Sequence, residues 1–333
     1  MTTQFIGTTF PLEYQWGKNE RQLIHDIQLQ IQQQYPDSNN LLINTTWFGP
    51  QFPNNTYAKF KSLCSTQTFD HLFLLAGVDP ICLTTQQIQQ CAAIAGSAEL
   101  HLLGNFETQY QFNFISTLLS EYFEQYTTTQ LMPIGFKYLF VNYNRKPHNH
   151  RVSFVNTLEQ HNLIDLGIVT LGNRYNLNEL PNAGNWGMHM NLGIPHDIHS
   201  LGNMDIWCSH FLNIVSETIN LPWDPLFVTE KTFKPILGLR PFVINGQPKV
   251  YKWLRDNGFR TFNHYWPHVN IEDVNELEVP DSIVEVIKYL QGFDSSQLNS
   301  MYQHMLPDLQ HNREHFATFS NSQKHRINNL FAC

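Results

Sequence analysis

Polar and apolar positions along this chain switch repeatedly between two periods. RQLIHDIQLQIQQQ has apolar residues at helical spacing, and NLLINTTWFG is a short apolar run closed by glycine, a strand. NTYAKFKSLC reads as a helix and HLFLLAGVDP as a buried strand ending at Gly77 and Pro80. TTQQIQQCAAIAG starts on threonine, keeps helical spacing and stops at Gly96. ELHLLGN is a further strand, and FNFISTLLSEYFEQY is an amphipathic helix.

The pattern breaks at TTTQLMPIGF and then restarts. KYLFVNY is a strand, RVSFVNTLEQHN a helix with apolar Val152, Phe154, Val155 and Leu158, and DLGIVTL a strand. Residues 172 to 204 are rich in Asn, Gly, Pro and His and lack periodicity, which predicts a functional loop or a mobile one closing over a site. A well-packed irregular connection fits the same composition. FLNIVSE is a strand, TEKTFKPILG a helix, RPFVIN a strand and PKVYKWLRDNG a helix closed by Gly258. RTF reads as a short last strand, followed by helices over DSIVEVIKYLQGF and SQLNSMYQHMLPDLQHNREHFATF.

Strand and helix alternating at this spacing predict an α/β fold with parallel sheets and crossover helices. A chain of 333 residues is long for one core. The break near residue 130 therefore divides an α/β domain over 1–130 from a second over 131–333, which includes the C-terminal helices. Two such domains facing a central cleft would hold a ligand beyond the carboxyl ends of the strands.

Composition narrows this only a little. Net charge is −8, which argues against a protein that binds chiefly by neutralising many phosphates, although a local basic cleft remains compatible. Charged residues make up only 14% of the chain, and Asn and Gln supply the missing polar surface. No apolar run is long enough to span a bilayer, and MTTQFIGTTF has neither the basic nor the apolar region of a signal peptide. The five cysteines lack CxxC spacing and are odd in number, as expected of reduced thiols in a cytoplasm. Without a secretory leader, the glycosylation-like triplets at Asn44 and Asn54 are read as chance.

Chemistry concentrates at the strand ends of the second half. KYLFVNY runs into NRKPHNHR, FLNIVS ends at Glu217, and the helix of FVTEKTFKPILGLRPFVING begins at Thr229. Parallel strands would bring Arg145, Lys146, His148, His150, Arg151, Glu217, Glu230, Lys231 and Lys234 to one edge. A helix start offers free N–H groups for a phosphate, Arg and Lys add attraction, and a carboxylate can hold a ribose through its hydroxyls. Plain capping also explains Thr229 and Glu230, and a solvated face also explains Lys231 and Lys234. Pro235 is harder to fit to a simple cap, because it removes the helical bond to the Lys231 carbonyl. Arg151 opens a helix against the dipole, a placement that a bound anion would favour.

The segment FLNIVSET…FVTEKTFKPILGLRPFVING resembles the donor-binding segment of α1,3-fucosyltransferase-like enzymes, and still more a group of phage and bacterial glycosyltransferase-like proteins with a TEK-T-x-KP pattern. The resemblance covers about residues 211 to 262, more weakly 137 to 171. It implies a GT-B-type fold of two Rossmann-like domains, the carboxyl-terminal one holding a nucleotide-diphosphate sugar with no metal or other cofactor. By the same resemblance Glu217 and Glu230 would hold nucleoside or sugar hydroxyls, Lys231 the diphosphate, and Arg151 would match a basic residue of the domain's first helix. Arg145, Thr229 and Lys234 complete the expected donor edge. The chain departs from the pattern at VSET and at LGLRP, which leaves the donor sugar open.

An inverting transfer needs a general base, expected on the amino-terminal domain at a strand end. Asp79 and Glu107 both qualify by position, although Asp79 also fits an Asp-Pro turn and Glu107 an exposed residue. The acceptor stays open between a glycan, a small molecule and a modified DNA base. Two other readings compete: a non-catalytic nucleotide-sugar-binding protein, and a metal-dependent hydrolase built on His189, His196, His199 and His210.

Overall fold

A computed structural model of the chain describes residues 3–7, 15–45, 56–76, 85–104, 108, 110–123, 126–144, 147–171, 201–218, 220 and 226–331. The chain forms two compact units. The first comprises Met1–Leu118, Asp224–Thr229 and Phe319–Cys333, and the second Leu119–Trp223 and Glu230–Thr318. Each is built on its own four-stranded sheet, and every strand pair is parallel.

In the first unit the strands are β1 (Gln4–Ile6), β2 (Asn40–Asn44), β3 (His71–Ala76) and β4 (Glu99–Gly104), paired in that order. Helices α1 (Gln15–Gln34), α2 (Thr56–Thr66) and α3 (Thr85–Ala95) connect them, and α4 (Phe114–Phe123) follows β4. Residues of β2 are buried throughout, as expected of a strand covered on both faces. Leu41, Ile43, Leu72 and Leu74 point to one face, where Phe60 and Cys91 close the core. Gly96 ends α3 with φ 69°, a conformation that favours glycine. The three-residue β1 had no periodic signal of its own, being too short to show one.

In the second unit a single turn, α5 (Thr128–Leu131), is closed by a capping box between Thr127 and Gln130. There follow β5 (Tyr138–Asn144), α6 (Asn149–Gln160), β6 (Gly167–Leu171), the single turn α7 (Met204–Trp207) and β7 (His210–Ser216). Next come α8 (Glu230–Leu237), β8 (Phe242–Asn245), α9 (Lys249–Asp256), α10 (Val279–Gln291) and α11 (Ser295–Asn328). The sheet order is β6-β5-β7-β8. The chain thus lays β6 on one side of β5 and then returns to lay β7 on the other. That reversal creates a topological switch point between the carboxyl ends of β5 and β7, the place where open parallel sheets bind ligands.

The expected strand at RTF does not form. Arg260 N donates to Asn312 Oδ1 at 2.7 Å, and Asn312 Nδ2 donates to the Arg260 carbonyl at 2.8 Å. One buried amide on α11 thereby satisfies both backbone groups that a ladder would have used. The aperiodic stretch 172–204 lies outside the described residues up to 200; its described end enters α7, capped by Asn203.

Candidate functional site at the switch point

The strands of the second unit turn polar as they approach their carboxyl ends. Asn142, Asn144, Ser216 and Asn245 are all buried there. Asn142 Nδ2 donates to the Ile214 carbonyl at 2.8 Å and to Ser216 Oγ at 3.0 Å. Asn144 Nδ2 donates to Asn142 Oδ1, while Asn144 N donates to Thr170 Oγ1 at 2.9 Å. Asn245 Nδ2 reaches Ser216 Oγ at 3.4 Å. Buried amides bonded in this way lock the ends of β5, β6, β7 and β8 to one another.

Arg151 and Glu217 flank the switch point. Arg151 sits in the first turn of α6, is 3% exposed, and donates from Nη2 to the Ser216 carbonyl at 2.9 Å. A second contact reaches Thr218 Oγ1 at 3.5 Å. Glu217 directly follows β7 and is fully buried. Its Oε1 accepts from Thr232 Oγ1 of α8 at 2.8 Å, and its amide donates to the Asn245 carbonyl at 3.3 Å. A side chain at Gly246 would come within 3.3 Å of Glu217 Cβ, so glycine leaves room for the carboxylate. The Glu217 carbonyl lies 2.8 Å from His150 Nε2. Burial holds the His150 imidazolium down to about 4, with the Glu217 bond opposing and nearby Arg151 adding to the effect.

Helix α8 begins at Glu230, directly after Thr229, the N-cap position that the sequence indicates. Lys231 Nζ lies 2.7 Å from Glu230 Oε1. Adjacent residues do not normally face each other on a helix. This pair meets in the first turn of α8, where both side chains are largely buried. Burial alone would lower the Lys231 ammonium, but Glu230 and then Glu217 outweigh it, and the net shift is upward. Lys231 is thus a cation fixed at a helix start. Lys234 lies in the last turn of α8, and Pro235 stands inside the helix. Proline has no N–H, so Pro235 donates no helical bond to the Lys231 carbonyl.

The described residues thus bring together Arg151, Glu217, Glu230 and Lys231, with His150, Ser216 and Thr232 between them. Thr229 and Lys234 belong to the same segment. Arg145, Asp79 and Glu107 lie outside the described residues, as do His189, His196 and His199. His210 does not enter a metal-ligating group among the described residues. It is fully buried beside Trp207, with Nδ1 3.1 Å from the Ile206 carbonyl, and burial, aided by Arg240, pushes it down to about 3.

Arg240, in the LGLRP segment after α8, is a structural bolt. It is fully buried and donates to the carbonyls of Trp207 at 2.8 Å, Leu131 at 3.0 Å and Leu239 at 2.9 Å. The residues that sequence reasoning passed over are Asn142, Asn144, Ser216, Thr232 and Asn245. Their signal was present as asparagine and serine at the ends of otherwise apolar strands. A shallow cavity of about 570 Å³ opens elsewhere in the unit, at the amino end of β5, and its charged lining is only Lys137 and Asp205.

Chemically, the switch-point edge offers two fixed cations, two carboxylates and a helix start, all on a locked sheet end. Such a set can hold a diphosphate through Lys231, Arg151 and the first amides of α8, and hydroxyls through Glu217 and Glu230. No family model, no curated protein and no solved structure matches the chain.

Proposed function

We propose that the protein is a glycosyltransferase that moves a sugar from a nucleotide-diphosphate sugar to an acceptor, with the donor held at the switch point of the second unit. The observation that carries this reading is the juxtaposition of buried Arg151 and Glu217 across the β5–β7 switch point with the Glu230–Lys231 helix start. The GT-B arrangement is part of the proposal, with the first unit taking the acceptor and Asp79 or Glu107 serving as base.

The roles follow from charge. Lys231 and the first amides of α8 stabilise the charge that develops on the diphosphate leaving group. Arg151, seated on the Ser216 carbonyl, adds a fixed positive field at the same edge. Glu217 and Glu230 accept hydrogen bonds from hydroxyls and so orient the donor. Fixed cations replace the divalent ion that other nucleotide-sugar enzymes use, so transfer proceeds without metal.

A thermal-shift screen of nucleoside diphosphates and their sugars identifies the donor. A ligand at a hundred times its dissociation constant stabilises the folded protein by about 2.7 kcal/mol. The best donor is then followed for hydrolysis or transfer in the presence of a chelator. Turnover with chelator present is the expected result. Binding without any turnover would leave a donor-binding protein, and turnover abolished by chelator in a protein whose melting temperature is unchanged would contradict the metal-free mechanism.

A further inference from the structure

A second cluster of ionisable groups lies on the sheet of the first unit, at the amino ends of β3 and β4. His71 and Glu99 are register partners at the start of the two strands, and His101 is two residues beyond Glu99. Side chains alternate along a strand, so all three project from one face. The opposite face carries Leu72, Leu74, Leu100 and Leu102 into the core. A polar triplet on the other side is therefore no accident of the core pattern.

The donor atoms are close together. His71 Nδ1 is 3.2 Å from His101 Nε2 and 3.4 Å from Glu99 Oε2, and His101 Nε2 is 3.8 Å from Glu99 Oε1. With metal–ligand bonds of about 2.0–2.1 Å, the edges of a tetrahedral coordination shell are about 3.3–3.4 Å long. The separations of 3.2 and 3.4 Å lie close to that figure, and the 3.8 Å from His101 to the other Glu99 oxygen closes with a small turn of the exposed carboxylate. Among the described residues this is also the one group of three ligand side chains whose donor atoms share a common focus.

The rings are held in place by their neighbours. His101 stacks on Phe73 with centroids 4.4 Å apart and planes 11° from parallel. His71 packs against Tyr35 at 4.0 Å, and Phe331 closes the edge of Tyr35 and Phe73. Fixed ligands in a half-apolar setting are what a metal site requires. The donor set of two imidazoles and a carboxylate suits Zn²⁺.

We propose that His71, Glu99 and His101 bind one Zn²⁺ ion, with water in the fourth position, and that the ion clamps the amino ends of β3 and β4. Without metal, one ring N–H bridges the two imidazoles. When the ion binds, that proton moves to the far nitrogen of its own ring, so that both facing nitrogens offer lone pairs to the metal. Because ligands of open parallel sheets sit at the carboxyl ends, an ion at the amino ends serves the fold. The site is separate from the donor chemistry proposed above and stands or falls without it.

The test uses the full chain without a polyhistidine tag, titrated with Zn²⁺ against a fluorescent chelator and with Co²⁺ followed by visible absorption. The wild type is expected to bind one equivalent tightly and to give the intense bands of tetrahedral Co²⁺. Glu99→Gln sits at an exposed position and so keeps the fold; it should weaken Zn²⁺ at least about tenfold, and His101→Gln about a hundredfold. Zinc should raise the melting temperature of the wild type, and raise that of Glu99→Gln by less at the same zinc concentration. Absence of a one-equivalent site in the wild type, or affinity equal to wild type in both variants, overturns the proposal. The second result would place any bound metal on other histidines.

Discussion

Arg240 and Glu217 are both charged and both fully buried, yet their surroundings assign them opposite tasks. Arg240 spends its donors on three main-chain carbonyls, so it holds the segments carrying Leu131, Trp207 and Leu239 together. Arg240→Ala takes these donors away; Leu239 keeps Tyr302 Oη, so the cost falls on the Trp207 and Leu131 carbonyls, at about 1–3 kcal/mol for each buried group left unpaired. The expected loss is about 2 kcal/mol or more in a denaturant titration; a loss under about 1 kcal/mol would contradict the bolt. Nothing in LGLRP announces this, because the partners are carbonyls on distant segments. Glu217, by contrast, could be anticipated as a carboxylate at a strand end, although its bond to Thr232 could not. His150 is a third case, held down to about 4 chiefly by burial. A folded-state value below the ordinary value of about 6.5 means that the unfolded chain takes up the proton first. Its contribution to stability is therefore full above about pH 6.5 and is lost as pH falls toward 4. His210, held down to about 3, acts in the same direction. Melting temperature should fall between pH 6.5 and 4, and His150→Gln should flatten that fall. An identical profile in the variant would show that His150 is not buried as a neutral base.

At the scale of elements, the apolar pattern located seven of the eight strands among the described residues and the main helices, because parallel strands covered on both faces are continuous apolar runs. It failed at RTF, where an asparagine side chain from α11 substitutes for a strand partner, a contact between residues 52 apart. The turn after α8 is a subtler case. Gly238 is required by packing, since a Cβ there would overlap the Trp207 indole, whose Nε1 donates to the Gly238 carbonyl at 2.9 Å. The left-handed residue is instead Leu239, with φ 52°. Its carbonyl is held by Tyr302 Oη at 3.0 Å and by Arg240, which secure a conformation unusual for a branched side chain. Gly238→Ala should displace Trp207 and destabilise by about 1–3 kcal/mol. Chemical denaturation checks this, with Trp207→Phe expected to relieve part of the cost. Equal destabilisation by Gly238→Ala in both backgrounds would argue that the indole is not the obstacle.

For the molecule as a whole, the sequence supported two parallel α/β sheets, and both are present. The strand order was not legible. Return of the chain to the far side of β5 depends on pairing between β5 and β7, which no periodicity encodes. That order converts a set of charged residues into a candidate site, because it places Arg151 and Glu217 on either side of a switch point. The sequence grouped Glu230 and Lys231 with them; it had no means of showing that Asn142, Asn144, Ser216 and Asn245 fix the strand ends beneath. Calorimetric titration of the best-binding nucleotide-diphosphate sugar into the wild type, Glu230→Gln and Lys231→Ala tests the central claim most directly. Glu230 and Lys231 are largely buried and paired with each other, so the melting temperature of each variant is measured first and affinities are compared under conditions where all three proteins are folded. Losing charge-assisted hydrogen bonds to the donor costs about 1.5–3 kcal/mol, roughly ten- to a hundredfold in affinity. The account predicts that loss for the nucleotide sugar in Glu230→Gln, and for both the nucleoside diphosphate and its sugar in Lys231→Ala. Affinity unchanged from wild type in both variants would contradict it and leave Glu230 and Lys231 as an ordinary helix start.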